Sequence, residues 1–312
     1  MTPRAARIRT DVERMPNANA AHTDEARADS ARAPSPLTPS PLAHRLGRIA
    51  VASLHAELAC APKPGLVTPF DSGSHDDMDA GTFMRSLFAL RGYFVAIAEA
   101  GARDAPFDQL RQLGIAAEAG MLRATHGINT HRGAIFSLGL LTAQAARLHR
   151  RHGHAASADA VCLGVREWAG HLLDAPLDPA SHGQRARARF QIAGVREQAA
   201  EGYPVLREIA LPTLRDALAR GWPREAALAQ TLMQLIARID DLNLLHRGGV
   251  EGLRRAQQLA RAFLADGGAG QARWRNELSR IGEAFVADRL SPGGSADLLA
   301  CAWFLHCQER IA

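Results

Sequence analysis

Apolar residues recur at three- and four-residue spacing along most of the chain. The stretch LAHRLGRIAVASLHAELAC, from Leu42, is the first example, and this period places apolar side chains on one face of an α-helix. Gly or Pro lies in most of the gaps between such stretches, as expected where helices end. The pattern predicts a helix from Leu42 and further helices near 80–100, 107–123, 133–150, 158–173, 202–219, 223–239, 249–265, 271–287 and 295–310.

The same pattern predicts the fold class. Strand signals are nearly absent, with GLVTPF at 65–70 as one short candidate, and no segment repeats at a fixed period. We therefore predict an all-α protein with one compact domain of about ten helices over residues 42–312. Residues 1–41 differ, because the segment ADSARAPSPLTPSPL is rich in Pro, Ser, Ala and charge without hydrophobic periodicity. This composition predicts a disordered tail.

Composition narrows the classes of function for this chain of 312 residues with a net charge of +5. The arginines are spread among acidic residues, without the dense basic block that indicates nucleic-acid binding. No apolar run reaches the length of a membrane span, and no secretory signal is present, so we expect a cytoplasmic protein. The four cysteines, in no CxxC pair, are expected to be buried reduced thiols. The histidines lack the HxxxH and HExxH spacings of zinc sites.

Polar residues collect at the junctions between the predicted helices, first in PKPGLVTPFDSGSHDDMD at 62–79. The segment contains Asp71, Asp76, Asp77 and Asp79, together with Lys63, Ser74 and His75. Helix capping, with Asp79 as the N-cap of a helix from Ala80, explains one or two of these carboxylates but not four. Clustered carboxylates repel one another unless a cation lies among them. Hard oxygen ligands suit Mg²⁺, which commonly links one or two carboxylates to substrate phosphates.

The second junction, GINTHRGAIF at 127–136, breaks the helical pattern with Asn129, Thr130, His131, Arg132 and Gly133. A helix N-terminus offers unpaired N–H groups and a partial positive charge. With His131 and Arg132 beside it, this turn predicts an anion site, and Gly133 allows close approach of the backbone. The alternative is a polar turn capped by Thr130 or Asn129.

The third junction, DDLNLLHRGG at 240–249, repeats the letters HRG ahead of a predicted helix. Its polar and glycine residues are Asp240, Asp241, Asn243, His246, Arg247, Gly248 and Gly249. A guanidinium and free N–H groups there could hold a phosphate. We expect Asp240, Asp241 and Asn243 to end the preceding helix, where negative charge meets an unfavourable dipole. Such a local cost indicates a functional site.

The fourth junction, LSPGGSADLL at 290–299, leads into the last predicted helix. Gly293 and Gly294 form a loop that could cradle an anion, Ser295 is the expected N-cap, and Asp297 lies in the first turn. A fifth group, Arg185, Arg187, Arg189 and Arg196, is interpreted mainly as a solvated basic face. The chain matches neither GxxxxGK[ST] nor GxGxxG.

Taken in order, these segments resemble the triphosphoribosyl-dephospho-coenzyme A synthases. The five similar motifs are PKPGLV together with GSHDDMD, then GINTHRGAIFSLGLL, GVREQAAEGYP, DDLNLLHRGG and SPGGSADLLA. They span Leu54 to Leu305, and five long motifs in one order are far more specific than any one of them. One position departs from the family pattern, because Leu242 stands where the family has a threonine.

The resemblance implies a reaction between ATP and 3′-dephospho-coenzyme A. The ribose of ATP, with its triphosphate attached, is joined to the 2′-hydroxyl of dephospho-coenzyme A, and adenine leaves. The product is the precursor of the prosthetic group of an acyl carrier protein of malonate decarboxylase or citrate lyase, and a second enzyme, a transferase, attaches it. Such chemistry is glycosyl transfer through an oxocarbenium-like state.

The resemblance also implies roles for the residues of the junctions. Asp76, Asp77 and Asp79 are expected near Mg²⁺, and Asp241 or Asp297 is expected to be the base or a second metal ligand. The expected substrate-binding residues are Lys63, Ser74, His75, Asn129, Thr130, His131, Arg132, Gly133, Asn243, His246, Arg247, Gly248, Gly249, Gly293, Gly294 and Ser295.

Two other functions fit the same residues. One is an all-α, Mg²⁺-dependent hydrolase of nucleoside triphosphates, with water as the nucleophile. The other is a helical module that binds an acyl carrier protein without catalysis. The second alternative predicts that the polar junctions, sampled by Asp77, Arg132, Arg247 and Asp297, do not cluster in space.

Overall fold

Helices account for most of residues 39–174 and 192–311, the part of the chain that the computed structural model describes. No strand forms within these two ranges. The α-helices are α1 (Pro41–Ala59), α2 (Ala80–Ala102), α3 (Phe107–Ala124), α4 (Arg132–His152), α5 (Ala158–Gly164), α6 (Ala169–Asp174), α7 (Val195–Ala200), α8 (Leu211–Ala219), α9 (Arg224–Arg238), α10 (Leu242–Ala265), α11 (Trp274–Ala287) and α12 (Gly293–Gln308). Short 3₁₀ turns lie at Val165–Trp168 and Gly268–Gly270, and a π-helical turn lies at Leu206–Ala210.

The predicted all-α class is confirmed. The short helix α7 was not predicted, and GLVTPF forms turns instead of a strand. Gly65 within it has a positive φ of 69°, and a Cβ there would lie 2.2 Å from the carbonyl oxygen of Leu290. Of the predicted tail, residues 1–38 lie outside the described residues, as do Arg185, Arg187 and Arg189 of the fifth group.

The last helix, α12, lies at the centre of the packing. It is apolar on nearly every side, as expected of a helix surrounded by others, and it contacts α1, α4, α8, α9 and α10. Its buried side chains include Leu299, Phe304 and Leu305. This central position carries the N-terminal turn of α12, and with it Asp297, into the middle of the protein.

Side-chain caps fix where two of the long helices begin. Ser40 accepts a hydrogen bond from the N–H of Ala43, so α1 starts at Pro41, one residue before the predicted position. Asp79 accepts hydrogen bonds from the N–H and the hydroxyl of Thr82, so α2 starts at Ala80 as predicted. Each cap satisfies N–H groups that have no partner inside the helix.

The structure corrects two expected helix boundaries. Helix α9 ends at Arg238, and Asp241 is the N-cap of α10, where its negative charge is favourable rather than costly. Gly249 lies inside α10 and kinks it, with φ 63° and ψ −163°, a conformation that essentially requires glycine. Ser295 is not an N-cap, because α12 already begins at Gly293.

The cysteines agree with the expectation of reduced, mostly buried thiols. Cys60, Cys162 and Cys301 are buried free thiols, and Cys307 is half-buried. Burial raises the pKa of Cys60 to about 12. Among the described helices, none combines the length and the apolar character that crossing a membrane requires.

Candidate active site

Five polar side chains meet where α1, α4, α10 and α12 come together; we call Glu57, Lys63, His131, Asp241 and Asp297 the inner cluster. Glu57, Lys63, His131 and Asp241 are buried, whereas Asp297 keeps partial access to solvent. Charged groups are seldom buried unless they are paired or functional. Each member of the cluster is therefore expected to have a partner or a functional role.

Glu57 and Lys63 form a buried ion pair. Glu57 is in the last turn of α1, and Lys63 follows it in the loop that leads to α2. The ammonium of Lys63 donates to the carboxylate of Glu57 and, over 2.7 Å, to the backbone oxygen of the same residue. The ammonium is thus held against the end of α1 and is not directed at the surface.

His131 is buried immediately before α4. Its Nδ1 lies 2.7 Å from the hydroxyl of Ser86 and 3.1 Å from that of Thr130, and its ring packs edge-on against Phe83. Its Nε2 has no hydrogen-bond partner among the described residues. Burial and the nearby charge of Lys63 lower the pKa of His131 to about 3, so the ring is neutral at physiological pH.

Asp241 joins the N-termini of α10 and α12. Its carboxylate accepts hydrogen bonds from the N–H and hydroxyl of Ser295, at 2.7 and 2.9 Å, and from the N–H groups of Asn243 and Leu244, at 2.9 and 3.4 Å. Burial raises the pKa of Asp241 and these bonds oppose that effect. With these bonds Asp241 links the start of α10 to the start of α12.

Asp297 differs from Asp241 in its surroundings. It lies beside the first turn of α4, where a Cβ on Gly133 would lie 2.0 Å from its Oδ2. Burial and the charges of Glu57 and Asp241 raise the pKa of Asp297 well above its usual value. The N–H of Ala134, at the positive N-terminal end of α4, opposes this rise.

A second group of polar residues lies nearer the surface; we call Ser74, His75, Asp76, Asp77 and Arg247 the outer cluster. The guanidinium of Arg247 donates to the backbone oxygen of Ser74 at 2.8 Å and lies 3.0 Å from Nδ1 of His75. Asp77 lies 3.7 Å from the same nitrogen. Burial and the charge of Arg247 lower the pKa of His75.

Neighbouring segments hold the outer cluster in place. Nε2 of His75 lies 2.9 Å from the hydroxyl of Ser291, which precedes α12. The hydroxyl of Ser74 donates to the backbone oxygen of Phe285 at 3.2 Å, and Arg247 also donates to the backbone oxygen of Arg289 at 3.3 Å. The loop before α2 is thereby fastened to α10 and to the turn before α12.

The four aspartates of the loop have different roles. Asp71 accepts hydrogen bonds from the hydroxyl of Thr68 and the N–H of Gly73, and Asp79 caps α2. Asp76 and Asp77 are exposed, and 61 % of the Asp77 side chain is accessible. Within residues 39–174 and 192–311, no three His, Cys, Asp or Glu side chains are placed to hold a metal ion by themselves.

The turn before α4 is partly committed to internal contacts. Arg132 forms an ion pair with Glu118 of α3, and the side-chain oxygen of Asn129 accepts a hydrogen bond from the N–H of Arg132. The helix begins at Arg132, with His131 as the N-cap residue and no capping hydrogen bond from its side chain. His246 is exposed on α10.

Glycines let the chain segments approach one another closely. A Cβ on Gly293 would lie 2.8 Å from the side-chain nitrogen of Asn243, and one on Gly294 would lie 3.1 Å from Asp241. A Cβ on Gly248 would lie 2.5 Å from the side chain of Leu290. These glycines shape the site through packing, and Leu242, at the departure from the family motif, packs against the apolar core.

The structure thus brings the predicted junctions together in two groups. Asp297 lies against the turn that contains Arg132, and Asp77 lies beside the His75–Arg247 contact. Two further residues, Glu57 and Ser86, were missed because each lies inside an ordinary amphipathic helix. The one sequence signal for Glu57 was that it is the sole acidic residue of α1.

A cavity of about 900 Å³ lies elsewhere, between α1 and α2. Its lining is mostly apolar, with His44, Arg48, His55 and Arg91 among the lining residues and no carboxylate. None of its lining residues belongs to either cluster. Since the clusters contain the carboxyl groups that this cavity lacks, we place the candidate active site at the clusters.

Comparison with known proteins points to the same family as the sequence motifs. A family model described as ATP:dephospho-CoA triphosphoribosyl transferase matches residues 43–311. A protein of Acinetobacter calcoaceticus, named as a probable 2-(5''-triphosphoribosyl)-3'-dephosphocoenzyme-A synthase, is 38 % identical over 84 % of this chain and 90 % of its own length. A protein of Citrobacter koseri with the same name is 40 % identical over 82 % and 88 %. A synthase of Pectobacterium atrosepticum is 39 % identical over 83 % and 87 %. No solved structure matches the chain.

Proposed function

We propose, because the chain belongs to the ATP:dephospho-CoA triphosphoribosyl transferase family, that it transfers the triphosphoribosyl group of ATP to the 2′-hydroxyl of 3′-dephospho-coenzyme A and releases adenine. The observation that carries the proposal is the position of Asp297. This carboxyl group, whose pKa is raised by burial and by the charges of Glu57 and Asp241, lies beside the N-terminus of α4. Glycosyl transfer needs a proton donor for the leaving group and negative charge near the developing cation.

The proton balance fits one titrating carboxyl group. When the bond between C1′ of ribose and N9 of adenine breaks, its electron pair goes to adenine, which takes a proton from Asp297. The oxygen of the incoming hydroxyl forms the new bond to C1′ and loses its proton, which returns to Asp297 directly or through water. Glu57 and Asp241 supply negative charge that stabilises the oxocarbenium-like state. Asp241 itself holds α10 and α12 together rather than exchanging a proton.

The outer cluster is suited to the triphosphate. Arg247 presents a guanidinium at the surface, and charge-assisted hydrogen bonds from arginine are strong and specific for phosphate. Arg132 can also reach a phosphate, but only in competition with Glu118. We do not assign Lys63 to the triphosphate, because its ammonium is buried in the ion pair with Glu57.

Asp76 and Asp77 fit a magnesium ion that is shared with the substrate. Mg²⁺ is usually held by one or two carboxylates together with substrate phosphates, and these two carboxylates are exposed beside Arg247. When bound, the ion would offset the charge of the triphosphate. Asp79 is left to its capping role.

The product would serve as the precursor of an acyl carrier protein prosthetic group, attached by a second transferase. The acyl carrier protein would be that of malonate decarboxylase or of citrate lyase. This assignment rests on family membership.

Product analysis tests the proposal. The purified chain is incubated with ATP, 3′-dephospho-coenzyme A and Mg²⁺, and the products are separated by chromatography with mass detection. We expect free adenine and a conjugate that retains all three phosphates, in equal amounts. Release of phosphate or pyrophosphate without adenine would instead indicate a hydrolase.

A further inference from the structure

The cavity between α1 and α2 is a groove along the outer faces of these two helices; we call it the α1–α2 groove. The helices run antiparallel, because Ser40 at the start of α1 is bonded to Glu99 near the end of α2, and a Cβ on Gly47 would lie 2.7 Å from Val95. The lining residues recur at three- and four-residue spacing on each helix, so they form one face of it. They include His44, Arg48 and Val51 of α1, and Phe88, Arg91 and Val95 of α2.

The floor of the groove is apolar and partly open to solvent. The ring of Phe88 is 62 % exposed, and Val51 and Met84 are half-buried. Gly92 lies in the interior of α2, where glycine weakens a helix relative to alanine. Outside the backbone of its own helix, no atom of the described residues lies within 4 Å of a Cβ built on Gly92, so internal packing does not explain the glycine. A bare backbone beside exposed apolar side chains suits the close approach of another polypeptide.

The charge on the rim indicates the chemistry of the partner. His44, Arg48, His55 and Arg91 line the groove, and none of the lining residues is acidic. The antiparallel pairing places Arg48 and Arg91 at about the same level. Among the described residues neither guanidinium has a carboxylate partner, and that of Arg91 lies 6.0 Å from the ring centre of Phe88. A partner with carboxylates beside an apolar face would complement both the rim and the floor.

The shape of the groove favours a helix as the bound element. The lined part of α1, residues 44–55, is about three turns or roughly 17 Å long. Amphipathic helices bind grooves of this kind through apolar side chains at three- and four-residue spacing. A second copy of the same groove fits less well, because a twofold contact would bring Arg48 and Arg91 against their own equivalents.

We propose that the α1–α2 groove docks an acidic amphipathic helix of a partner protein. The apolar face of that helix packs against Phe88 and Met84, and its carboxylates pair with Arg48 and Arg91. Gly92 lets the backbone of the partner helix approach α2 closely. The docking is separate from the proposed reaction, because none of the lining residues belongs to the inner or the outer cluster.

A labelled model peptide tests the docking. The probe is a helical peptide of about 15 residues, matched to the length of the groove, with leucine on one face and glutamate on the other. Its binding to the full chain is followed by fluorescence anisotropy. We expect saturable binding that weakens as salt is added, because ion pairs at an exposed rim are screened. The same peptide with lysine in place of glutamate should bind at least about tenfold more weakly. Equal binding of the two peptides, or no binding of either, overturns the proposal.

Gly92→Leu shows whether the peptide occupies the groove. Leucine favours the helix and fills the groove without burying a charge, so the variant should fold and bind the glutamate peptide about tenfold or more weakly. The matched control is Gly120→Leu, in the interior of α3, where a Cβ would meet only the end of the Arg123 side chain, at 3.8 Å. Equal loss of binding in both variants, or in neither, would contradict docking in the groove.

The charge of the rim is tested separately. Arg48→Glu/Arg91→Glu should weaken binding of the glutamate peptide by about tenfold or more, because like charges then face each other. Arg254→Glu/Arg261→Glu, on the exposed surface of α10, changes the net charge equally and should bind as the unmodified chain does. An equal effect of the two double variants would mean that net charge alone attracts the peptide, which contradicts the proposal.

Sedimentation velocity separates a partner protein from a second copy of the chain. We expect the unmodified chain and Gly92→Leu to have the same sedimentation coefficient at every concentration, because the groove is reserved for another protein. If the unmodified chain self-associates and Gly92→Leu does not, a second copy occupies the groove and the proposal is wrong.

Discussion

The inner and outer clusters lie in adjoining parts of the same site but are built in opposite ways. In the inner cluster four of the five side chains are buried, and Asp241 and Lys63 are bonded to other parts of the protein. In the outer cluster the loop itself is well fastened, whereas Asp76 and Asp77 are open to solvent. A buried, prearranged group can control the position and charge of a proton. Exposed groups, in contrast, can bind a charged ligand that arrives from solution.

The difference indicates a division of labour. In the proposed function, changes in the inner cluster should alter the rate of the chemical step, because its charges would act on the reacting bond. Changes in the outer cluster should alter the binding of phosphate and metal ion, because in the proposed function Arg247, Asp76 and Asp77 contact these groups. The two kinds of change can be told apart by their effects on kcat and KM.

The largest effect is expected from Asp297→Asn. The amide keeps the size of the side chain and an acceptor for the N–H of Ala134, but it cannot donate a carboxyl proton. Loss of general acid catalysis typically costs about 10²- to 10⁴-fold, and we expect adenine release to fall by that factor with KM for ATP nearly unchanged. The control is Asp216→Asn, which removes an exposed pair with Arg220. Equal activity of the two variants would exclude Asp297 from the chemistry.

Arg247→Ala should have the next largest effect. A charge-assisted hydrogen bond is worth about 1.5–3 kcal/mol, or roughly a ten- to a hundredfold change in affinity. We expect KM for ATP to rise by that factor, as measured by initial rates over a range of ATP concentrations. Arg132→Ala should raise KM less, because Arg132 is already paired with Glu118. A larger rise in KM for Arg132→Ala than for Arg247→Ala would instead indicate that the phosphate site lies at the start of α4.

Asp77→Asn probes the proposed magnesium site. If Asp77 shares an ion with the triphosphate, its loss should increase the Mg²⁺ concentration needed for half-maximal activity, by about tenfold for one lost ligand. Thermal stability without metal should stay equal, since the side chain is largely exposed. The measurement is a Mg²⁺ titration of adenine release. An unchanged midpoint would argue against Asp77 as a ligand.

The stability of Asp297→Asn gives the smallest expected effect and a test that needs no substrate. The pKa of Asp297 is raised in the folded state, so its stabilising contribution is fully present below the unfolded value of about 4 and is lost as the pH rises through the folded value. Asparagine does not titrate. Relative to the unmodified protein, the variant should therefore become more stable as the pH rises from about 4 to 8. Urea denaturation over this range measures it, and a pH-independent difference would contradict the raised pKa.

The sequence predicted the fold and the polar junctions that form the site, but not the hydrogen bonds and ion pairs between those junctions. Long helices such as α2 and α4 were predictable because apolar periodicity and caps such as Asp79 are local signals. The partners of Asp241 were not, because its bonds to Ser295 depend on how the starts of α10 and α12 pack. Glu57 was missed for a similar reason: its environment is set by Lys63 and Asp297, which no pattern within α1 reveals.

The most direct test of the division between the clusters is the single-turnover rate of adenine release at saturating ATP and dephospho-coenzyme A, compared between Asp297→Asn and Arg247→Ala. Saturation removes a defect in binding but not a defect in chemistry. We expect Arg247→Ala to recover most of the unmodified rate and Asp297→Asn to remain slower by about 10²-fold or more. Recovery of Asp297→Asn, or an equal residual defect in both variants, would contradict the separation of proton transfer from phosphate binding.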